Sequence, residues 1–197
     1  MTDELLQGYP RPAGRAVTKE LTELDKHCRA FIELSPFAVL STATPDGEPD
    51  VSPRGGLPGF VRVIDSTRLM LPDRVGNNRL DSLRKVAVNP RVSMLFFVPG
   101  VDETLRVYGR AELLDVVSAP AEAAERGRDP RSVLVLHVDR AFFHCAKALM
   151  RSRLWDPESR VPRESFPTMG QIMRDHAGYG GPVEDQQAML DRYSAQL

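Results

Sequence analysis

Between Ser52 and Pro99 the chain reads SPRGGLPGFVRVIDSTRLMLPDRVGNNRLDSLRKVAVNPRVSMLFFVP, and this stretch restricts the fold more than any other. Two short apolar patterns run into Pro72-Asp73-Arg74, and Gly76-Asn77-Asn78-Arg79 follows. Pro72 has no N–H for a sheet ladder, so pairing is expected to stop there. Gly76 permits a turn. Asn77 or Asn78 is placed to cap a helix, and Asp81 follows Asn78 at the capping-box spacing. Leu80, Leu83, Val86 and Ala87 then recur at helical spacing, and Asn89-Pro90 ends the helix. A helix start offers unpaired N–H groups and a partial positive charge, which attract phosphate. Arg74 and Arg79 flank it, and guanidinium groups can grip phosphate in a bidentate way. A capped surface helix with solvated arginines satisfies the same pattern.

On either side of this junction the chain alternates short strands with few helices. Residues 1–17 form a polar arm. Leu21, Leu24, Cys28 and Phe31 mark an amphipathic helix over Lys19–Leu34, with Thr18 as its cap. Strand patterns cover 37–44, 50–54, 60–64, 68–71, 92–98, 104–116 and 133–143, the first two joined by Pro45-Asp46-Gly47. Leu105, Val107, Gly109 and Ala111 share one face of the long strand. A short alanine-rich helix is expected over 119–126, and weaker helical patterns over 147–153, 169–176 and 183–196. The domain reading is an arm and helix over 1–34, a barrel over 35–155, and a helical extension over 156–197 packed on the same domain. The fold class is α+β, mainly β: a six-stranded antiparallel split β-barrel with flanking helices.

The formal net charge is -1. It gives no overall basic field for nucleic acid, and local arginines suit a small anion better than a polymer. No apolar run approaches a membrane span, and MTDELLQGYP lacks the features of a signal peptide. The two cysteines, Cys28 and Cys145, make no disulfide framework. These features read as a cytoplasmic protein.

Several motifs occur in a fixed order. They are Ser52-Pro53-Arg54-Gly55, Gly59-Phe60-Val61-Arg62-Val63, Leu71-Pro72-Asp73-Arg74, Gly76-Asn77-Asn78-Arg79, Asn89-Pro90-Arg91-Val92, Thr104-Leu105-Arg106-Val107 and Phe143-His144-Cys145-Ala146-Lys147. In this order they resemble the pyridoxamine 5'-phosphate oxidase-like family of FMN-binding split β-barrels. The likeness spans roughly Ser35 to Trp155 and is nearest a branch of FMN-dependent enzymes whose substrate is unknown. It implies a homodimer with FMN in two interfacial clefts, and a phosphate seat near Arg62, Pro72, Asp73, Asn77, Asn78 and Arg79. Arg54 lies on a strand that reaches the cleft in this family. With Phe60, Val61, Arg74, Lys147 and Trp155 it completes the expected cofactor-binding set. Two departures stand out. The basic Ser-Arg-Lys cluster of true pyridoxamine phosphate oxidases is replaced by Asn77-Asn78-Arg79, with Ser82 near the position of their lysine. Their late tryptophan–arginine motif is absent, and Trp155 stands alone. Vitamin B6 oxidation is therefore not expected.

The expected function is an FMN-dependent oxidoreductase acting on a small molecule, with a nicotinamide nucleotide or oxygen as redox partner. No catalytic residue is assigned, because the flavin ring itself carries the redox chemistry. The alternative is a barrel that binds flavin, haem or a deazaflavin without turnover, as a carrier or sensor. Lys147 is a candidate for the flavin N1–C2=O edge or for an interface salt bridge. Arg106 and Arg110 fit a phosphate, a partner chain or a solvated face equally well. Phe142, Phe143 and Trp155 are candidate dimer anchors. The His27-Cys28 and His144-Cys145 pairs lack the local partners of a zinc site, so no metal is expected. Cys28 falls on the apolar helical stripe and reads as a core residue.

Overall fold

The structure is a computed structural model that describes residues 8, 9, 14, 18–74, 76, 79–115, 117, 118, 130–178 and 180–194. The expectations for Asn77, Asn78 and the helix over 119–126 fall outside these residues. The chain divides into two compact units, Met1–Trp155 and Asp156–Leu197.

Among the described residues, the first unit is built on seven strands: β1 (Phe37–Ala43), β2 (Pro49–Gly55), β3 (Arg62–Val63), β4 (Arg68–Pro72), β5 (Arg91–Val98), β6 (Val101–Asp115) and β7 (Ser132–His144). All pairings are antiparallel, in the order β2-β1-β5-β6-β7-β4-β3. The expected count was six. β3, inside the expected pattern over 60–64, is only a two-residue rung that pairs with β4 at one margin. Asp65 pins the turn between them by accepting from Thr67 N–H at 2.8 Å and Arg68 Nε at 2.8 Å. These donors hold its carboxyl low, at about 2.

Alternation along the strands sets the two sheet faces. Ala38 and Leu40 of β1 oppose Phe96 and Met94 of β5, and all four are buried. Leu105, Val107 and Ala111 of β6 continue this inner layer as expected. Gly109 stands where a bulge shifts the β6–β7 register after Tyr108, and a Cβ there would run into the His137 carbonyl oxygen. β2 lies at the opposite margin from β3. Pro49 and Pro53 have no N–H to give β1, so β2 must turn these positions toward its open side.

Among the described residues, three helices accompany the sheet of this unit. α1 (Lys26–Leu34) starts seven residues later than Lys19, the expected start. Leu21 exchanges hydrogen bonds with Ala141 of β7, and Leu24 N–H donates to Ser66 O at 2.7 Å, so that backbone is spent on the sheet and its turn. Asp25 caps the helix instead, accepting from the N–H groups of His27 and Cys28. Cys28 is fully buried, and burial pushes its thiol up to about 12, which makes it inert core. α2 (Asp81–Val88) follows β4, and α3 (Lys147–Ser152) follows β7.

The second unit holds two short 3₁₀ turns (Pro157–Ser159 and Arg163–Ser165) and two helices, α4 (Met169–Ala177) and α5 (Gln186–Ser194). Thr168 caps α4, and Gly178 ends it in the left-handed conformation.

Candidate functional site

The inner face of β2 carries Asp50, Ser52 and Arg54, whose partners on β1 are Thr42, Leu40 and Ala38. A barrel interior normally takes apolar residues, so polar residues at every second position mark a strand that faces an opening rather than a core. Arg54 Nη1 lies 3.7 Å from the Asp73 carboxylate, just beyond β4. β2 is the first strand in the sheet order and β4 the second last, so this pair spans the gap where the rolled sheet fails to close.

A cleft of about 420 Å³ occupies that gap, within the size range of small-molecule sites. Four arginines line it, Arg54, Arg74, Arg79 and Arg131, against three aspartates, Asp50, Asp73 and Asp81. Two of the acids are visibly engaged. Asp50 accepts from Thr42 Oγ1 at 3.2 Å and from the buried Ser82 hydroxyl at 3.0 Å. This hangs the first turn of α2 on β2. Asp81 accepts from Arg79 Nε at 2.7 Å.

Arg54 Nε is a buried donor that meets no acceptor among the described residues. Leaving such a donor unpaired costs roughly 1–3 kcal/mol, and more for a charged group, so it points to an acceptor that arrives with a ligand. Asp73 shows the same incomplete satisfaction from the other side. Burial pushes its carboxyl above the ordinary value of 3.8, and the charges of Arg54 and Arg131 only partly offset this.

The start of α2 differs from the expected capping box. Leu80 occupies the N-cap with φ 60°, in the left-handed region, and no side chain among the described residues caps the helix. Leu80 is also exposed rather than part of the apolar face, whose buried members are Ser82 and Val86. Among the described residues, no side chain accepts from the first N–H groups of α2, which lie beside the arginines.

Of the residues expected from sequence, Arg54, Asp73, Arg74 and Arg79 come together in this cleft. Pro72 ends β4 immediately before Asp73, paired with Val133. Phe60 and Val61 are 4% and 1% exposed, so their side chains belong to the core. Arg62 lies on β3 with Nη1 beside Gly59 and does not line the cleft. Lys147 opens α3, and Trp155 donates from Nε1 to Val101 O at 2.9 Å. Both follow the C-terminal end of β7, whereas Arg131 precedes its first residue and Asp73 N–H bonds Ser132 O at 2.8 Å. Apart from Phe60, Val61 and Arg62, the described members of the expected set therefore fall into two groups at opposite ends of one 13-residue strand. Arg131, Asp50 and the structural role of Ser82 were not anticipated. Arg131 offered only its position before a strand, which says nothing about a cleft formed with residues more than fifty positions away.

The sequence profile of the pyridoxamine 5'-phosphate oxidases matches residues 24–145, more than half of the chain. The chain belongs to the pyridoxamine 5'-phosphate oxidase-like family. Comparison with curated proteins finds no match. Among solved structures, one from Lactobacillus delbrueckii, provisionally described as a pyridoxamine 5'-phosphate oxidase, is 19% identical with a TM-score of 0.50 and covers 63% of this chain and 98% of its own. An FMN-binding protein from Syntrophomonas wolfei is 13% identical with a TM-score of 0.42, covering 59% and 83%. An F420 reductase is 20% identical with a TM-score of 0.39, covering 59% and 94%. The first likeness speaks to the fold alone, and the other two scores carry no argument. Membership of this family accounts for the rolled antiparallel sheet and its flanking helices. Among the described residues no helix is long and apolar enough to cross a membrane.

Proposed function

We propose that this member of the pyridoxamine 5'-phosphate oxidase-like family is an FMN-dependent oxidoreductase acting on a small molecule, with the FMN phosphate seated in the four-arginine cleft. The observation that carries this is the buried, acceptor-less Nε of Arg54 in a cleft that also holds Arg74, Arg79, Arg131 and the uncapped start of α2. A phosphate supplies several acceptor oxygens and two negative charges, which matches the acceptor that Arg54 Nε lacks and the positive charge of the cleft. Once bound, a flavin supplies two-electron chemistry at its ring. The chain's own part is to fix the phosphate, to hold Arg54 in place through Asp73, and to tie α2 to β2 through Asp50. Arg62, set apart from the cleft, is left out of the proposed cradle.

A homodimer is part of the proposal. Lys147 and Trp155 stand at the far end of β7 from the arginines, so a ligand that meets both groups calls for a second chain. The outer sheet face supports this reading. Phe37 is 39% exposed and Val51 is 67% exposed. Phe37 packs on Phe97 at 5.9 Å, with half-buried Val39 and Leu95 beside them. Phe142 and Phe143, the expected anchors, are already packed within the protomer.

The decisive experiment is the absorbance spectrum of the freshly purified protein, followed by anaerobic titration with NADH and NADPH. A flavin spectrum that bleaches supports the enzyme. A flavin that stays oxidised with both donors supports a carrier, and a deazaflavin or Soret spectrum overturns the choice of FMN. FMN titration of Arg54→Ala and Arg79→Ala should show at least tenfold weaker binding, from charge-assisted contacts worth roughly 1.5–3 kcal/mol each. Unchanged affinity in both variants would remove the phosphate from this cleft. Turnover of pyridoxamine phosphate should be negligible, because the Ser-Arg-Lys cluster and the late tryptophan–arginine motif are missing.

A further inference from the structure

The charges that line the arginine cleft do not balance the ligand proposed for it. The guanidiniums of Arg54, Arg74, Arg79 and Arg131 face the carboxylates of Asp50, Asp73 and Asp81. With every acid ionised, one positive charge is left over. A phosphomonoester at neutral pH carries up to about two negative charges. Seating it leaves the cleft with a negative excess, in a place partly withdrawn from water, where an uncompensated charge is costly. One of the three carboxylates has to give way.

The three acids are not equivalent. Asp50 accepts from Thr42 Oγ1 and Ser82 Oγ, and Asp81 accepts from Arg79 Nε. Asp73 has no such donor. Among the described residues its carboxylate accepts no hydrogen bond, its side chain is 13% exposed, and the Arg54 guanidinium stands 3.7 Å away. Its backbone is anchored to the first residue of β7 by the N–H bond to Ser132 O, so the carboxylate stays in the cleft. The charged groups around it are Arg54 and Asp50 from β2, Arg131 ahead of β7, Arg74 next along the chain, and Arg79 and Asp81 at the start of α2. Burial moves Asp73 toward its neutral form by more than Arg54 and Arg131 move it back.

We propose that Asp73 determines which charge state of ligand the cleft accepts, by taking up one proton as a phosphomonoester enters. This rests on the reading of the cleft as the FMN phosphate seat. The proton comes from solvent and lands on an Asp73 carboxyl oxygen. The neutral carboxyl no longer repels the phosphate and can donate to one of its oxygens, and Arg54 is released from Asp73 to face the phosphate alone. Four guanidiniums then stand against two carboxylates, and a doubly charged phosphate closes the balance. A singly charged phosphodiester closes it with Asp73 still ionised, so the residue makes the seat's preference between the two depend on pH.

The test is calorimetric titration of the full-length chain, stripped of any bound flavin, with FMN at pH 7.5 in two buffers of different ionisation enthalpy. The phosphate has lost its second proton at this pH. Wild type should take up to about one proton per FMN bound, and its affinity should fall by up to about tenfold per pH unit between pH 7 and pH 8.5. Both are readable without any variant. Asp73→Asn should abolish the uptake, flatten the pH profile and bind FMN at least as tightly as wild type at pH 8.5. Asp81→Asn, which removes an equal charge from the same cleft, should keep the uptake. Binding without uptake, in a protein whose affinity still drops in Arg54→Ala, overturns the role of Asp73 and leaves the phosphate in the cleft. Uptake that persists in Asp73→Asn, or that Asp81→Asn abolishes as completely, gives the proton to another group and overturns it as well. If neither Arg54→Ala nor Arg79→Ala weakens FMN, the phosphate seat itself has failed and this inference falls with it.

Discussion

Arg54 shows how one side chain can join architecture and chemistry. Its guanidinium reaches Asp73 across the open seam, yet its Nε is buried without an acceptor. Asp73 holds its proton more tightly in the folded protein than in the unfolded chain, because burial outweighs the neighbouring positive charges. Between the ordinary value of 3.8 and the raised folded value, the native state keeps a proton that the unfolded chain has released. Stability contributed by this residue therefore falls as pH rises through that window, and it is constant below it. Urea midpoints of ligand-free protein and Asp73→Asn, measured from pH 4 to pH 7, should diverge accordingly. The asparagine variant should gain relative to wild type as pH rises. Parallel curves would mean that Asp73 ionises freely in the ligand-free cleft.

Among the secondary-structure elements, the strands were readable, and so were the starts of α3 and α4 at Lys147 and Met169, but the starts of α1 and α2 were not. Alternation is a local signal, and β1, β4, β5 and β7 lie within two residues of where it placed them. The start of α1 moved because Leu21 and Leu24 give their backbone bonds to distant partners, Ala141 and Ser66, which no local pattern reveals. The start of α2 moved for a different reason: a leucine, not an asparagine, turns the chain there. The cleft was half legible, since Arg54, Asp73, Arg74 and Arg79 sit in recognisable motifs while Arg131 is brought in only by the β4–β7 pairing. Gly109 is the element-scale position with least freedom, because the bulge presses the His137 carbonyl against it. Gly109→Ala should cost about 3 kcal/mol or more by overpacking, read as a lower urea midpoint. A loss below about 0.5 kcal/mol, the range of neutral surface changes, would mean that the bulge can relax.

For the whole molecule, the outer sheet face is the testable surface. Light scattering of the FMN-loaded protein should give the mass of a dimer, and Phe37→Asp should shift it toward the monomer without lowering strand content by circular dichroism. An FMN-loaded monomer at micromolar concentration would refute the dimer. The β2 margin has a different consequence, for how the protein behaves when crowded. An unpaired strand edge is a template on which other chains can stack as ribbons and fibres. The nitrogens of Pro49 and Pro53 face that open side, leaving only Val51 and Gly55 to donate along it. The chain can therefore keep its seam open for a ligand without offering a continuous ladder to its neighbours. Pro53→Val should restore one rung and leave the fold intact, and its cost should appear on storage, as faster growth of turbidity and thioflavin-positive material in concentrated solution.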